Sequence, residues 1–314
     1  MEELNCEMIH SDEVQNKLPI FLKKWWLDVV AKDKWFYLFV AKNDMIAVWP
    51  IVESKKLFLR ISKMPPLTQY LGPYFIVNSN SKPSLSSTIE MYRILLNRLN
   101  HINIFKQRLN LTVKNLLPFL WQGFNMSIRY TYRINTKESD LNTILLKMSP
   151  TRRRKIKKGM NLLLIEKGEV DEKFIRLIKK TFYRKGNRAP SSIELLKEVY
   201  KASLKYDAGI IINALEPKNK EICGTSFFIK DNFSVYYLIG AYDERVDTNG
   251  LASSLLLWEG IKIAKENDLI FDFEGSILEG VEYFFRSFGG DLVPYYEVSR
   301  IKPGILNLAY KFFH

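Results

Sequence analysis

The sequence predicts an α/β (α+β) protein of two related halves, each a mixed, largely antiparallel sheet flanked by helices. Three observations predict it. Short apolar runs with strand-like alternation are interleaved with segments whose apolar residues recur at three- and four-residue spacing. The two signals follow one order in both halves: helix, hairpin strands, helix, strand, short helix, Gly turn, strand. The landmarks "PFLWQGF" and "YFFRSFGG" lie about 165 residues apart, and the long central helices repeat at a similar step, as a duplicated unit requires. The expected domains are therefore 1–145 and 146–314, joined through "NTKESDLNTILLKMSP".

In chain order, 13–31 reads as an amphipathic helix carrying Trp25 and Trp26, which are most simply core. "WFYLFVAKNDMIAVWPIV" (35–52) reads as a hairpin about the polar turn "KND". Residues 57–77 are Pro-rich and read as irregular. A helix is expected over 86–99, with Ser86 or Ser87 as its cap, then a strand over 103–111. "LPFLWQGFNMSIRYTYRIN" (117–135) predicts a short helix, a Gly turn and a strand. Further on, helices are expected over 149–160, 171–186 and 191–206. A three-strand meander over 207–243 turns at "PKNK" and "KDN". A helix over about 250–267, the strand "LIFDFEG", a short helix and the strand 293–301 complete the pattern.

Composition narrows the function classes. With 47% hydrophobic residues the chain can bury a core, and with 26% charged residues it is not a disordered composition. Two cysteines far apart in sequence, Cys6 and Cys223, do not make a disulfide framework. Three histidines, His10, His101 and His314, argue against a zinc site or a His-based triad, so no metal is expected. The acidic start "MEELNCEMIHSDE" lacks the features of a secretory signal, and no run of about 18 apolar residues predicts a membrane span. The expected location is cytoplasmic. A net charge of +13 favours anionic partners: phosphate-bearing cofactors, nucleic acid or an acidic membrane surface.

Several blocks resemble a known family. "FDFEGS", "GVEYFFRSFGG", "GAYDERVDTNGLASSLLLWEGIKIAKE" and "SPTRRRKIKKG" resemble the Fem-type (methicillin-resistance-like) acyltransferases. "WLDVVAKDKWFYLFVAKNDMIAVWP" and "TQYLGPY" resemble their first domain. The resemblance covers most of the chain and implies two tandem GNAT-like (N-acetyltransferase) domains. It implies transfer of an acyl or aminoacyl group from acyl-CoA (acetyl-CoA) or aminoacyl-tRNA to an amine, in one branch on a cell-wall peptidoglycan precursor linked to a nucleotide or lipid. It also implies a carrier pyrophosphate at the helix start that follows "VDTNG". The chain keeps one glycine of the family's Gly-rich loop there and lacks its Gln/Arg lead. The family's helical arm has no counterpart, because the helices at 171–206 are interrupted by "KGNRAPSS".

The residues give a physical reading of each site. Asn249-Gly250 opens an apolar helix with the small residues Ala252, Ser253 and Ser254, and such a helix start favours phosphate. Six of the seven residues 152–158 are basic. On one helix, Arg152, Lys155 and Lys158, or Arg153 and Lys157, form a stripe that can grip phosphates. On a strand over 269–275, Asp272 and Glu274 face one way, toward a cleft, and Phe271 and Phe273 face the core. Either carboxylate could take the proton an amine loses on acylation, and Ser276 or the Gly275 backbone could donate to the oxyanion. The family's Tyr general acid falls on Phe285, which leaves Tyr283, Tyr295, solvent or the carrier to protonate the leaving group. Thr68, Gln69 and Tyr70 in a Pro/Gly loop, with Arg286 and Tyr295, are the expected substrate contacts. The structural alternative to each is a capped core helix, a solvated basic face, and acids that cap helices or pair with Arg286. The competing function is a non-catalytic anion-binding protein of the same fold, carrying nucleic acid such as tRNA or resting on an acidic membrane surface.

Overall fold

Proline sets the first departure from these expectations. The computed structural model describes residues 6–42, 44–78, 84–184, 193–243, 249–275 and 277–302. In place of one helix over 13–31 there are α1 (Cys6–Ile9), α2 (Asp12–Lys17), a 3₁₀ turn (Ile20–Leu22) and α3 (Lys24–Val30). Pro19 has no amide hydrogen and pushes Leu18 into an extended conformation (ψ 141°), so the helix stops. The hairpin follows as β1 (Trp35–Lys42) and β2 (Met45–Lys56), paired antiparallel from Trp35↔Val52 to Lys42↔Met45. The stretch expected to be irregular holds two strands, β3 (Leu59–Ser62) and β4 (Tyr74–Val77), both antiparallel to the long β2. α4 (Leu85–Arg98) is capped by Ser84, whose hydroxyl accepts the Ser87 amide at 3.1 Å; Ser86 and Ser87 already lie inside the helix. β5 (Ile104–Arg108), α5 (Leu117–Trp121) and β6 (Asn125–Asn135) arrive as expected.

α6 (Leu141–Lys147) occupies the segment expected to be a linker. Asp140 caps it, and the Thr143 amide and hydroxyl hold that carboxyl below its ordinary pKa. α7 (Pro150–Leu162) starts with Pro150 in its first turn and Ser149 as cap. β7 (Leu164–Lys167) was not foreseen. α8 (Glu172–Arg184), α9 (Ile193–Lys205), β8 (Gly209–Leu215), β9 (Ile222–Lys230), β10 (Ser234–Tyr242) and α10 (Leu251–Glu266) match the reading. β11 is only Ile270–Asp272, followed by α11 (Glu279–Arg286) and β12 (Asp291–Ile301).

These elements form two compact units, and the division is not a single cut at 145/146. One unit takes the chain up to Arg129 and again from Pro294; the other is Tyr130–Val293. The physical reason is strand pairing. β12 pairs antiparallel with β5, from Glu297↔Arg108 to Ile301↔Ile104, and so returns to the first unit. Arg129 and Lys106 both reach Glu297, at 3.1 and 3.2 Å, and fix that pairing. Burial raises the Glu297 pKa, but hydrogen bonds and charge from Lys106 and Arg129 outweigh it and hold the carboxyl below its usual range.

In the first unit the strand order is β1-β2-β3-β5-β12, with β4 on β2, and α4 and α5 pack around Trp49, Phe105, Phe119 and Phe124. A buried polar chain crosses that core. The Trp49 indole donates to Gln107 Oε1 at 2.9 Å, and Gln107 Nε2 donates to Ser62 Oγ at 3.1 Å. In the second unit the order is β6-β11-β10-β9-β8-β7, and α10 lies in a core with Phe228, Phe271 and Phe273. No helix among the described residues is long and apolar enough to cross a membrane. Replacing Gln107 by Leu strands one buried donor and one buried hydroxyl. We expect Gln107→Leu to lower the free energy of unfolding by about 3 kcal/mol in urea titration.

Candidate active site at the split between β10 and β11

The parallel pairing of β10 with β11 is short. It runs from Ser234↔Ile270 to Tyr236↔Asp272 and no further. An irregularity between Tyr237 and Ile239 turns the rest of β10, which pairs only with β9 among the described residues. Beyond Asp272 the chain of β11 stays with β6, and the Phe273 amide donates to the Tyr132 carbonyl at 3.0 Å. The two strands therefore part, leaving main-chain edges that an extended ligand can use. Openings at strand ends in α/β folds are common ligand sites.

One bank of the split ends in two left-handed residues, Glu274 (φ 59°) and Gly275 (φ 70°). A side chain at Gly275 would strike the Tyr130 carbonyl oxygen at 2.1 Å, so the position admits only glycine. Glu274 pays the strain of a non-glycine residue in this region, a feature that clusters at functional sites. The other bank leads to α10. Gly250, also left-handed (φ 65°), precedes its first residue. The Lys155 ammonium of α7 lies 3.6 Å from where a Gly250 Cβ would sit. A positive helix N-terminus and a lysine thus meet at one point.

Arg152 holds α7 in that place. It is 7% exposed. Its guanidinium stacks on Phe284 at 4.2 Å and Phe288 at 4.7 Å, donates to Ser287 Oγ at 2.9 Å, and donates to Ser254 Oγ. Both hydroxyls pass their own protons to main-chain carbonyls, Ser254 to Gly250 and Ser287 to Phe284. Burial lowers the Arg152 pKa to about 10, against a small opposing effect of Tyr283, so it stays charged at neutral pH.

The expected carrier residues therefore separate. Asn249 is exposed; Gly250, Ser253, Arg153 and Lys155 are half-buried. Ala252 and Ser254 are fully buried inside the unit, as is Arg152. The outer face of α7 carries Arg154, Lys157 and Lys158. The two acids also part company, because the chain leaves the strand at Asp272 and the expected alternation ends. Asp272 is fully buried with Phe271 and Phe273, accepts from Thr131 Oγ1 at 2.6 Å and from the Glu274 amide at 2.8 Å, and pairs with Arg133 at 3.2 Å. It closes the β6–β11 ladder rather than lining a cleft. Glu274 is half-buried, and Ser276 lies outside the described residues.

The expected substrate contacts do not gather at the split. Arg286 is exposed, pairs with Glu282 at 3.1 Å and covers Tyr283 at 5.5 Å. Glu282 also accepts from Tyr132, whose pKa burial and that acid push up to about 12. Thr68, Gln69, Tyr70 and Tyr295 belong to the first unit and are all buried. Thr68 accepts from the Trp26 indole at 3.0 Å, and Tyr70 packs edge-on against Phe21. The loop is held by hydrogen bonds from Trp26 and Arg108 to Thr68, and Gly72 lies against β2, where a Cβ would meet the Val48 carbonyl at 2.8 Å.

Sequence reasoning missed a second basic feature. Asp243, at the end of β10, takes a bidentate contact from Lys180 at 2.6 and 2.7 Å. Lys173, Arg176, Lys180 and Lys220 line a pocket of about 480 Å³ there. The i, i+3, i+7 spacing of Lys173, Arg176 and Lys180 on α8 was the available signal.

No known family profile matches the sequence, and no curated protein matches it either. Solved structures do. FemX covers 98% of this chain and 98% of its own at a TM-score of 0.73 and 13% identity. The C-terminal domain of a putative lysylphosphatidylglycerol synthetase from Agrobacterium fabrum covers 92% and 93% at 0.54 and 10%. L-PGS from Bacillus licheniformis covers 90% and 88% at 0.51 and 10%. The chain shares the fold of FemX over nearly its whole length.

If Arg152 is a packing element, its volume matters more than its charge. Arg152→Ala should cost about 3 kcal/mol in denaturant unfolding, with Arg152→Met recovering most of the loss.

Proposed function

We propose that the chain is an N-acyltransferase that moves an acyl or aminoacyl group from a phosphate-bearing carrier to an amine in the split between β10 and β11. The observation that carries this reading is the meeting of Lys155 with Gly250 at the start of α10, beside the stretch of β10 past Tyr236 that pairs with no second strand among the described residues. A phosphate needs cationic and N–H donors, and an acyl arm needs a path to a base; this reading puts the two on opposite banks of one opening.

A carrier of this class fits the residues present. Lys155, Asn249 and the Gly250 main chain would hold its phosphate, with Ser253 beside them. The bound carrier supplies the activated acyl carbon. Glu274 takes the proton from the attacking amine; the amine nitrogen bonds the acyl carbon as its bond to the carrier breaks, and the carrier leaves as thiol or hydroxyl, protonated by solvent. The stretch Tyr237–Ala241 of β10, which has no second strand beside it among the described residues, would orient an extended arm through main-chain hydrogen bonds. The cations about Asp243 support a longer polyanion, aminoacyl-tRNA, beside acyl-CoA. The names of the fold neighbours support testing cell-wall and lipid-linked amines as acceptors.

Two donors are assayed in parallel: thiol release from acetyl-CoA, and transfer of a labelled aminoacyl group from tRNA. With the donor that is used, Lys155→Ala should weaken binding about tenfold. Glu274→Gln should slow transfer about 10²-fold at unchanged donor affinity. Transfer at the parental rate in Glu274→Gln would remove the proposed base. Donor binding without any transfer would favour the anion-binding alternative.

A further inference from the structure

We propose that the tip of the β2–β3 hairpin is a contact for an acidic phospholipid surface. β2 and β3 run out to a two-residue loop, Leu57-Phe58, closed by Lys56↔Leu59. From Ser54 to Phe58 every residue is exposed. Leu57 is 88% exposed, more than any other large apolar side chain among the described residues, and Phe58 is 70% exposed.

The loop chemistry is unusual. Leu57 is left-handed, at φ 55°. Two-residue hairpin loops with a positive φ ordinarily carry Asn, Asp or Gly. A leucine there meets a steric cost and a hydration cost, and within the unit it gains no packing in return. An environment that takes up apolar side chains supplies the missing gain.

The charges around the tip select the environment. Lys55 stands directly opposite Arg60 in the ladder, and Lys56 is one residue from the apex. Like charges facing each other across a hairpin are unfavourable in water. Arg60 has Glu53 at 3.2 Å, while Lys55 and Lys56 make no ion pair among the described residues. Two apolar side chains at the apex and a cationic collar behind them match the layers of an anionic membrane surface: acyl boundary beyond, phosphate groups at the level of the lysines. The contact is peripheral. It lies in the first unit and does not depend on the activity proposed for the second.

The test is co-sedimentation of the full chain with sucrose-loaded vesicles of phosphatidylcholine, with and without phosphatidylglycerol. The parent should bind only the phosphatidylglycerol vesicles, and less so as salt rises. Leu57→Asn with Phe58→Ser, which keeps a residue suited to the left-handed position, should weaken binding about tenfold. Lys55→Gln with Lys56→Gln should weaken it by about fivefold per charge. Both variants should melt at or slightly above the parental temperature, since none of the four side chains packs in the unit and the changes relieve the left-handed leucine and the facing like charges. Lys157→Gln with Lys158→Gln on α7 should bind vesicles as the parent does. Parental binding by the Leu57/Phe58 variant, or loss of binding in the α7 variant, would overturn the proposal. So would an RNA-retention defect in the Lys55/Lys56 variant with vesicle binding intact.

Discussion

A guanidinium with no carboxylate partner among the described residues organises the second unit. Arg152 is buried between two phenylalanine rings and two serine hydroxyls, and each hydroxyl is in turn tied to the main chain. Every contact fixes an orientation: Ser254 belongs to α10, and Phe284, Ser287 and Phe288 lie in or just after α11. The net effect is to lock α7 against the start of α10. That lock decides where Lys155 points, and with it where positive charge collects. A neutral cage also leaves the cation's field uncancelled, so the buried charge adds to the potential at the helix start.

The split between β10 and β11 follows from a different constraint. Asp272 and Arg133 form a pair across β11 and β6, with Thr131 donating to the same carboxylate. They draw the end of β11 toward β6. Past the irregularity between Tyr237 and Ile239, β10 keeps its pairing with β9 while its pairing with β11 has ended. Neither feature is itself chemical, yet together they open the strand edges and place Glu274 beyond the last paired residue. Site and scaffold thus divide the two acids that sequence reading had joined: Asp272 is buried and structural, while Glu274 is half-buried and lies past the last residue of β11.

Much of this was legible in the sequence where the signal is local. Ser149-Pro150 marked the start of α7, Asn249-Gly250 marked the start of α10, and alternation found the β8–β10 meander. The resemblance to Fem-type proteins anticipated the fold that FemX shares. What stayed hidden depends on pairing between distant segments. β3 and β4 lie in a Pro-rich stretch whose strand character comes from the partner β2. The return of β12 to β5 is set by Glu297 meeting Lys106 and Arg129. The same limit applies at the site. Arg152 looks like any member of a basic run until Phe284 and Phe288 are seen on it. Thr68, Gln69 and Tyr70 look like a polar loop until Trp26 and Phe21 cover them. Asp272 and Glu274 look equivalent until the chain turns left-handed between them.

The central claim is that a donor's phosphate sits where Lys155 meets the first residues of α10. A crystal structure with a non-hydrolysable acyl-carrier analogue tests it most directly. The proposal requires phosphate density against the Lys155 ammonium and the Gly250 main chain, with the acyl arm running beside β10 past Tyr236. Phosphate density confined to the outer face of α7, or to the first unit, would contradict it.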